Sequence, residues 1–93
     1  MKNEFIYFTN HSCNVDRALL PKIQKHIATK YPLMDFVMVQ VEDEPEKAAQ
    51  LGVFTVPALL VVFEGKESFR FVRNFSTREL DDKVERLYNL LFS

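Results

Sequence analysis

The chain has no tryptophan, one cysteine, two glycines and almost no surplus of either charge. Each scarcity excludes something. The single Cys13 rules out an internal disulfide and any zinc site built on paired cysteines, and a lone thiol suits a reducing compartment. Twelve basic residues against thirteen acidic ones give a formal charge of -1, so nothing in the balance asks for nucleic acid, whose phosphates need a basic surface. The longest apolar run, Val56 to Phe63, falls far short of the roughly 20 residues that span a bilayer, and no membrane contact is expected. Met1 to Asn10 holds only a short apolar stretch, without the small-residue cleavage site of a secretory signal. The expected location is cytoplasmic. No segment rich in Gly, Ser or Pro interrupts the chain, so 1–93 is expected to form a single domain.

What is present is enough for a core: 47% apolar residues, among them nine Phe and three Tyr. Phe5, Ile6, Tyr7 and Phe8 follow one another within Glu4 to Thr9, which suits a strand buried on both faces. From Val15 to Tyr31, Leu19 or Leu20, Ile23, Ile27 and Tyr31 recur at helical spacing, and Pro21 is expected to kink that helix. Phe36 to Val41 reads as a second strand. The acidic run Glu42, Asp43, Glu44 and then Pro45 suit the start of a short helix over Glu46 to Leu51, which Gly52 can end. Ala58 to Phe63 and Ser68 to Phe75 read as a hairpin about a Glu64-Gly65-Lys66 turn, and Ser76 with Glu79 caps a last helix carrying Leu80, Val84, Leu87 and Leu91. A crossover helix makes the first two strands parallel, and the hairpin adds antiparallel ones. The expected fold is an α/β sandwich: a four-stranded mixed sheet flanked by three helices.

Cys13 falls where the first strand meets the first helix. Unpaired backbone N–H groups and the helix dipole there stabilise a thiolate, and Arg17, one turn on, adds to the effect, while the Asp16 carboxylate opposes it or shuttles a proton. A free cysteine is most often a small apolar residue in a packed corner. The polar neighbours Thr9, Asn10, His11, Ser12 and Asn14 place a reactive thiol ahead of an inert one. His11, Cys13 and Asp16 match no standard zinc spacing, and neither a metal nor another cofactor is expected. His26 is expected to be an exposed helix residue. Val56-Pro57 enters a strand where proline removes a ladder hydrogen bond, which either a cis peptide or a trans proline opening the strand would accommodate.

Cys13 at the head of a helix, Pro21 eight residues later, Val56-Pro57 opening a strand, Gly65 eight residues after Pro57 and the helix after Ser76 together resemble the thioredoxin family across nearly the whole chain. The resemblance implies a thioredoxin-like fold with sheet order second, first, third, fourth strand. It makes Cys13 the nucleophilic cysteine, Pro57 the cis-proline that faces its sulfur, and the Val56 backbone the edge that pairs with a bound peptide or thiol.

The departures from that pattern are specific. Asp16 stands where the family has a second cysteine, giving Cys13-Asn14-Val15-Asp16, so no internal disulfide can resolve a mixed one. Tyr7 replaces a buried acid, Ser12 a tryptophan, and Arg73 the glycine after the fourth strand. The start of the chain at the strand leading to Cys13 resembles the trimmed core of glutaredoxins. The expected function is monothiol exchange, in which Cys13 takes part in thiol-disulfide chemistry with a protein disulfide or a low-molecular-weight thiol. Asn14, Val15, Val56 and Pro57 shape the substrate pocket, and Asp16 acts beside the sulfur. The alternative is a non-catalytic module that docks a peptide or protein at the cis-proline groove. The expected state is a monomer, with a disulfide-linked dimer through Cys13 as the other candidate.

Overall fold

The structure, a computed structural model, describes residues 2–12 and 16–92, with Asp16 by its backbone only. Seven elements follow in the order β1 (Glu4–Thr9), α1 (Asp16–Lys30), β2 (Asp35–Gln40), α2 (Pro45–Gln50), β3 (Ala58–Phe63), β4 (Lys66–Val72) and α3 (Thr77–Phe92). The sheet runs β2-β1-β3-β4, with β1 parallel to β2 and antiparallel to β3, and β3 antiparallel to β4.

Alternation along the two central strands divides the interior. Phe5 and Tyr7 of β1 and Leu59, Val61 and Phe63 of β3 point to one face, where they pack with Leu19, Ile23 and Ile27 of α1 and Leu80, Val84 and Tyr88 of α3. Ile6, Phe8, Ala58, Leu60 and Val62 point to the other, where Ala48 of α2 and Val53 cover them. Of the central strands, β3 is apolar throughout and β1 from Phe5 to Phe8, whereas β4 at the edge buries only Phe71. Pro21 lies exposed within α1, which continues through it to Lys30.

Both ends of β4 differ from the sequence-based expectation by two residues or more. The hairpin turn has two central residues, Glu64 (φ 54) and Gly65 (φ 79), both left-handed as a tight hairpin requires, so pairing resumes at once with Phe63 opposite Lys66. A register shift between Val61 and Val62 then absorbs one residue. At the other end β4 stops at Val72, because Arg73 turns left-handed with a φ of 61 and donates its N–H to the Pro57 carbonyl at 2.7 Å. The strand thus covers Lys66–Val72 and not Ser68 to Phe75.

The second half of α1 is joined to α3 by a polar cluster. Asp81 accepts from Tyr31 Oη, lies 2.8 Å from His26 Nε2 and pairs with Lys30 Nζ at 3.0 Å. Lys30 also reaches Glu85 at 3.1 Å. His26 is consequently no exposed helix residue; its side chain is 25% exposed and bonded across the helix interface. Burial alone would raise the Asp81 pKa, but hydrogen bonds from His26, Tyr31 and Lys30 outweigh it and hold the carboxyl below its ordinary value. The bonds to Asp81 and Glu85 raise that of Lys30, and burial together with the Asp81 bond keeps the Tyr31 phenol protonated as a donor.

Candidate functional site

The candidate site is the end of the sheet where β1 runs into α1 and β3 begins. Cys13, Asn14 and Val15 lie outside the described residues, as does the side chain of Asp16, whose backbone opens α1. The surroundings of that junction are defined. Thr9 closes β1 in a buried position, and its carbonyl accepts from Val41 N–H at 2.9 Å. Asn10 Oδ1 then accepts from Ser12 N–H at 3.0 Å, a local turn that side-chain amides favour after a strand. His11 N–H donates to Glu42 Oε1 at 2.7 Å, and its ring Nε2 faces Asp43 Oδ2 at 3.5 Å.

The acidic run after β2 therefore does more than open α2: it fastens the loop that leads to Cys13. No local pattern marks this link, because the partners are 31 residues apart in sequence and meet only through the parallel β1–β2 pairing. His11, weighed above as a metal ligand, faces these two carboxylates instead. No cluster of His, Cys, Asp and Glu suited to a metal ion occurs among the described residues.

The opposite wall is the segment from Leu51 to Pro57. Gly52 (φ 67) ends α2 in the left-handed conformation that glycine permits, and its N–H returns to the Ala49 carbonyl at 3.1 Å. Arg70, on the α2 side of β4, donates Nη1 to the Gly52 carbonyl at 2.9 Å and Nη2 to the Leu51 carbonyl at 2.6 Å. Glu67 holds the same guanidinium at 2.8 Å and raises its pKa. A cation on the closing carbonyls of a helix is electrostatically favourable, and this one fixes where the segment toward β3 departs. Arg70 is a positioning residue whose only sequence signal was its alternation with Phe69 and Phe71.

Beyond Gly52, Phe54 is 86% exposed, Val56 half-buried and Pro57 buried. The Val56–Pro57 peptide is cis. Val72 pairs with Ala58 and is exposed, so Phe54 and Val72 are bare apolar side chains near the head of β3. Tyr7 is fully buried in the larger core and stacks on Phe36, which puts an aromatic ring below the junction. Arg17, on the first turn of α1, is exposed.

A thioredoxin-like protein of Bacillus subtilis, YdfQ, is 33% identical over 89 residues, covering 96% of this chain and 79% of that one. The chain belongs to the thioredoxin-like family. Thioredoxin 1 of Thermosipho africanus superposes with a TM-score of 0.83 at 37% identity, over 97% of this chain and 99% of that chain. Oxidised thioredoxin O2 of Arabidopsis thaliana gives 0.80 at 25% identity, over 94% and 76%. No protein-family model matches. The four-stranded mixed sheet with its three helices is thus the thioredoxin fold, and membership of the family is consistent with a thiol-disulfide role in general. No helix among the described residues is long and apolar enough to cross a membrane.

Proposed function

We propose that the protein is a monothiol member of the thioredoxin-like family, in which Cys13 exchanges with an external disulfide or low-molecular-weight thiol. The supporting observation is that its sole cysteine falls in the sequence between β1 and α1, after exposed His11 and Ser12 and three residues before Asp16 opens the helix. In this reading 1–93 is one domain of a cytoplasmic, monomeric protein. The Cys13 thiolate attacks one sulfur of the disulfide; the Cys13 Sγ–S bond forms as the S–S bond breaks, and the leaving thiolate takes a proton from water. Asp16 cannot perform the resolving attack of a second cysteine, so a thiol from solution does. Arg17 favours the thiolate, and Asp16 tempers it by like-charge repulsion. In this reading Asn14 and Val15 shape the substrate pocket, and the Val56 backbone at Pro57 offers a strand edge to the partner.

The test is mass spectrometry after incubation with a small neutral disulfide. One adduct on Cys13, removed by added thiol and absent in Cys13→Ser, is expected; no adduct would end the reading. Disulfide reduction at the rate of a two-cysteine thioredoxin would contradict its monothiol part. A second reading, a non-catalytic module docking an extended peptide at the Val56–Pro57 edge, is favoured by Phe54, an apolar residue that is 86% exposed. Peptide binding that survives Cys13→Ser unchanged would select it.

A further inference from the structure

The two edges of the sheet are finished differently. β4 carries Lys66, Glu67 and Arg70 along its length, and a register shift interrupts its pairing with β3; both discourage the addition of a further strand. β2 has neither. Asp35 is its one charged residue, it holds no proline, and its pairing with β1 runs without a shift from Asp35 to Gln40.

The parallel pairing fixes which backbone groups of β2 are free. Asp35 N–H donates to the Asn3 carbonyl at 3.1 Å and Val41 N–H to the Thr9 carbonyl at 2.9 Å, so the odd-numbered residues turn their N–H and C=O groups to β1. Those of Phe36 and Met38 consequently point away from the sheet, where no strand pairs with them. The side chains of these two residues share one face. Met38 is 41% exposed, and Phe36 is half-buried and stacked on Tyr7.

Acidic groups border this open edge at both ends. Asp35 is exposed at its start. At its finish the Gln40 carbonyl, which also points outward, accepts from Asp43 and Glu44 N–H at 3.0 Å each, bringing the turn that carries Glu42, Asp43 and Glu44 to the end of the edge. His11 lies beside Glu42 and Asp43, whereas Asp35 and Glu44 form no ion pair among the described residues. A second copy added antiparallel would bring each Asp35 toward the other's acidic turn. A strand with cations at its ends meets attraction instead.

We infer that the β2 edge docks an extended segment of a partner protein, antiparallel to β2, apolar opposite Phe36 and Met38 and basic at both ends. Its backbone exchanges N–H···O bonds with Phe36 and Met38, its apolar side chains lie beside theirs as cross-strand pairs, and its cations face Asp35 and the acidic turn. β1 separates this edge from the Val56–Pro57 end of β3, so docking here is independent both of exchange at Cys13 and of a peptide held at that end.

The experiment is an amide NMR titration of the isotope-labelled protein with a peptide of alternating valine and threonine flanked by lysines, and with its glutamate-flanked counterpart. Shifts are expected to concentrate at the Phe36, Met38 and Gln40 amides. The lysine-flanked peptide should bind about five- to tenfold more tightly at low salt, with the difference shrinking as salt is added. Met38→Pro removes an outward N–H without touching a β1–β2 hydrogen bond and should weaken binding about tenfold, while Met38→Thr keeps the N–H and most of the affinity. The same test runs on the unaltered protein with N-methylated peptides: methylation at the valines, whose N–H groups face β2, should abolish binding, and methylation at the threonines should spare it. Equal binding of the two methylated peptides, or shifts gathered at Val56 and Ala58, would overturn the inference. So would no binding of the lysine-flanked peptide, or a glutamate-flanked peptide that binds as well. Concentration-dependent shifts at Phe36 and Met38 without peptide would assign the edge to a second copy and overturn the choice of partner.

Discussion

The two ends of α1 use charge in opposite ways. At the C-terminal end, Lys30 and His26 close on Asp81 of α3, Tyr31 donates to the same carboxylate, and Glu85 takes the remaining reach of Lys30. At the N-terminal end, Arg17 and Lys22 are exposed and form no ion pair among the described residues. Charges that are paired and partly buried hold elements together, because their loss leaves a partner desolvated; charges left in water hold nothing and remain available to a ligand. The proposed chemistry belongs to the second end, and the polar link between α1 and α3 to the first.

Substitutions at the two ends should therefore separate cleanly. The largest expected effect is complete loss of disulfide exchange in Cys13→Ser with an unchanged melting temperature, read by adduct mass and by calorimetry. Next comes Asp81→Ala, which removes the partner of His26 and Tyr31 and leaves Lys30 with Glu85 alone. A loss of about 2 kcal/mol is expected, lowering Tm by roughly 8 to 16 °C, with the alkylation rate of Cys13 unaltered. Equal Tm values would show that the cluster does not clamp the helices, and a slowed Cys13 would show that the two ends are coupled.

The same cluster sets a pH dependence whose sign follows from the two shifts. The Asp81 pKa is held below its ordinary 3.8, so its stabilisation is fully present above that value and is lost as pH falls through the lower folded-state value. Lys30 is shifted above 10.5, so its share is present below that value and is lost as pH rises through the folded-state value. The gap in Tm between the parent and Asp81→Asn should accordingly be full near neutrality and shrink as the solution is made strongly acid. A gap that widens in acid would contradict the assignment.

Smaller effects are expected at the junction. Arg70→Ala should cost about 0.5 to 1 kcal/mol, because its guanidinium is partly solvated, and should raise hydrogen exchange at Leu51 and Gly52. Arg73→Gly should stabilise the fold by about 0.5 kcal/mol, since relief of the left-handed φ exceeds the added freedom of the unfolded glycine. A fold destabilised by that change would mean that the arginine side chain supports the structure.

The fold was legible because most of its determinants are local. The unbroken apolar runs of β1 and β3, the stripe of Ile23 and Ile27, and Ser76 three residues before Glu79 each mark an element without reference to the rest of the chain. The limits of β4 were less legible, since they depend on backbone conformation at Glu64 and Arg73, residues whose type gives no hint of a positive φ. The site was legible only in outline. Cys13, Val56 and Pro57 stand out by type and spacing, whereas the contact of Glu42 with His11, the reach of Arg70 to Leu51 and the bond of His26 to Asp81 join residues 19 to 55 positions apart. Exposed His, Glu and Arg look alike in sequence until topology supplies the partner.

The central claim is that the fold activates Cys13, and it is tested most directly by the alkylation rate of Cys13 with iodoacetamide at neutral pH, folded against urea-unfolded. The account predicts a faster reaction in the folded protein, on the order of tenfold, because the helix start and Arg17 enrich the thiolate, and a further gain in Asp16→Asn, where the opposing carboxylate is gone. A folded protein that alkylates no faster than the unfolded chain would contradict the claim.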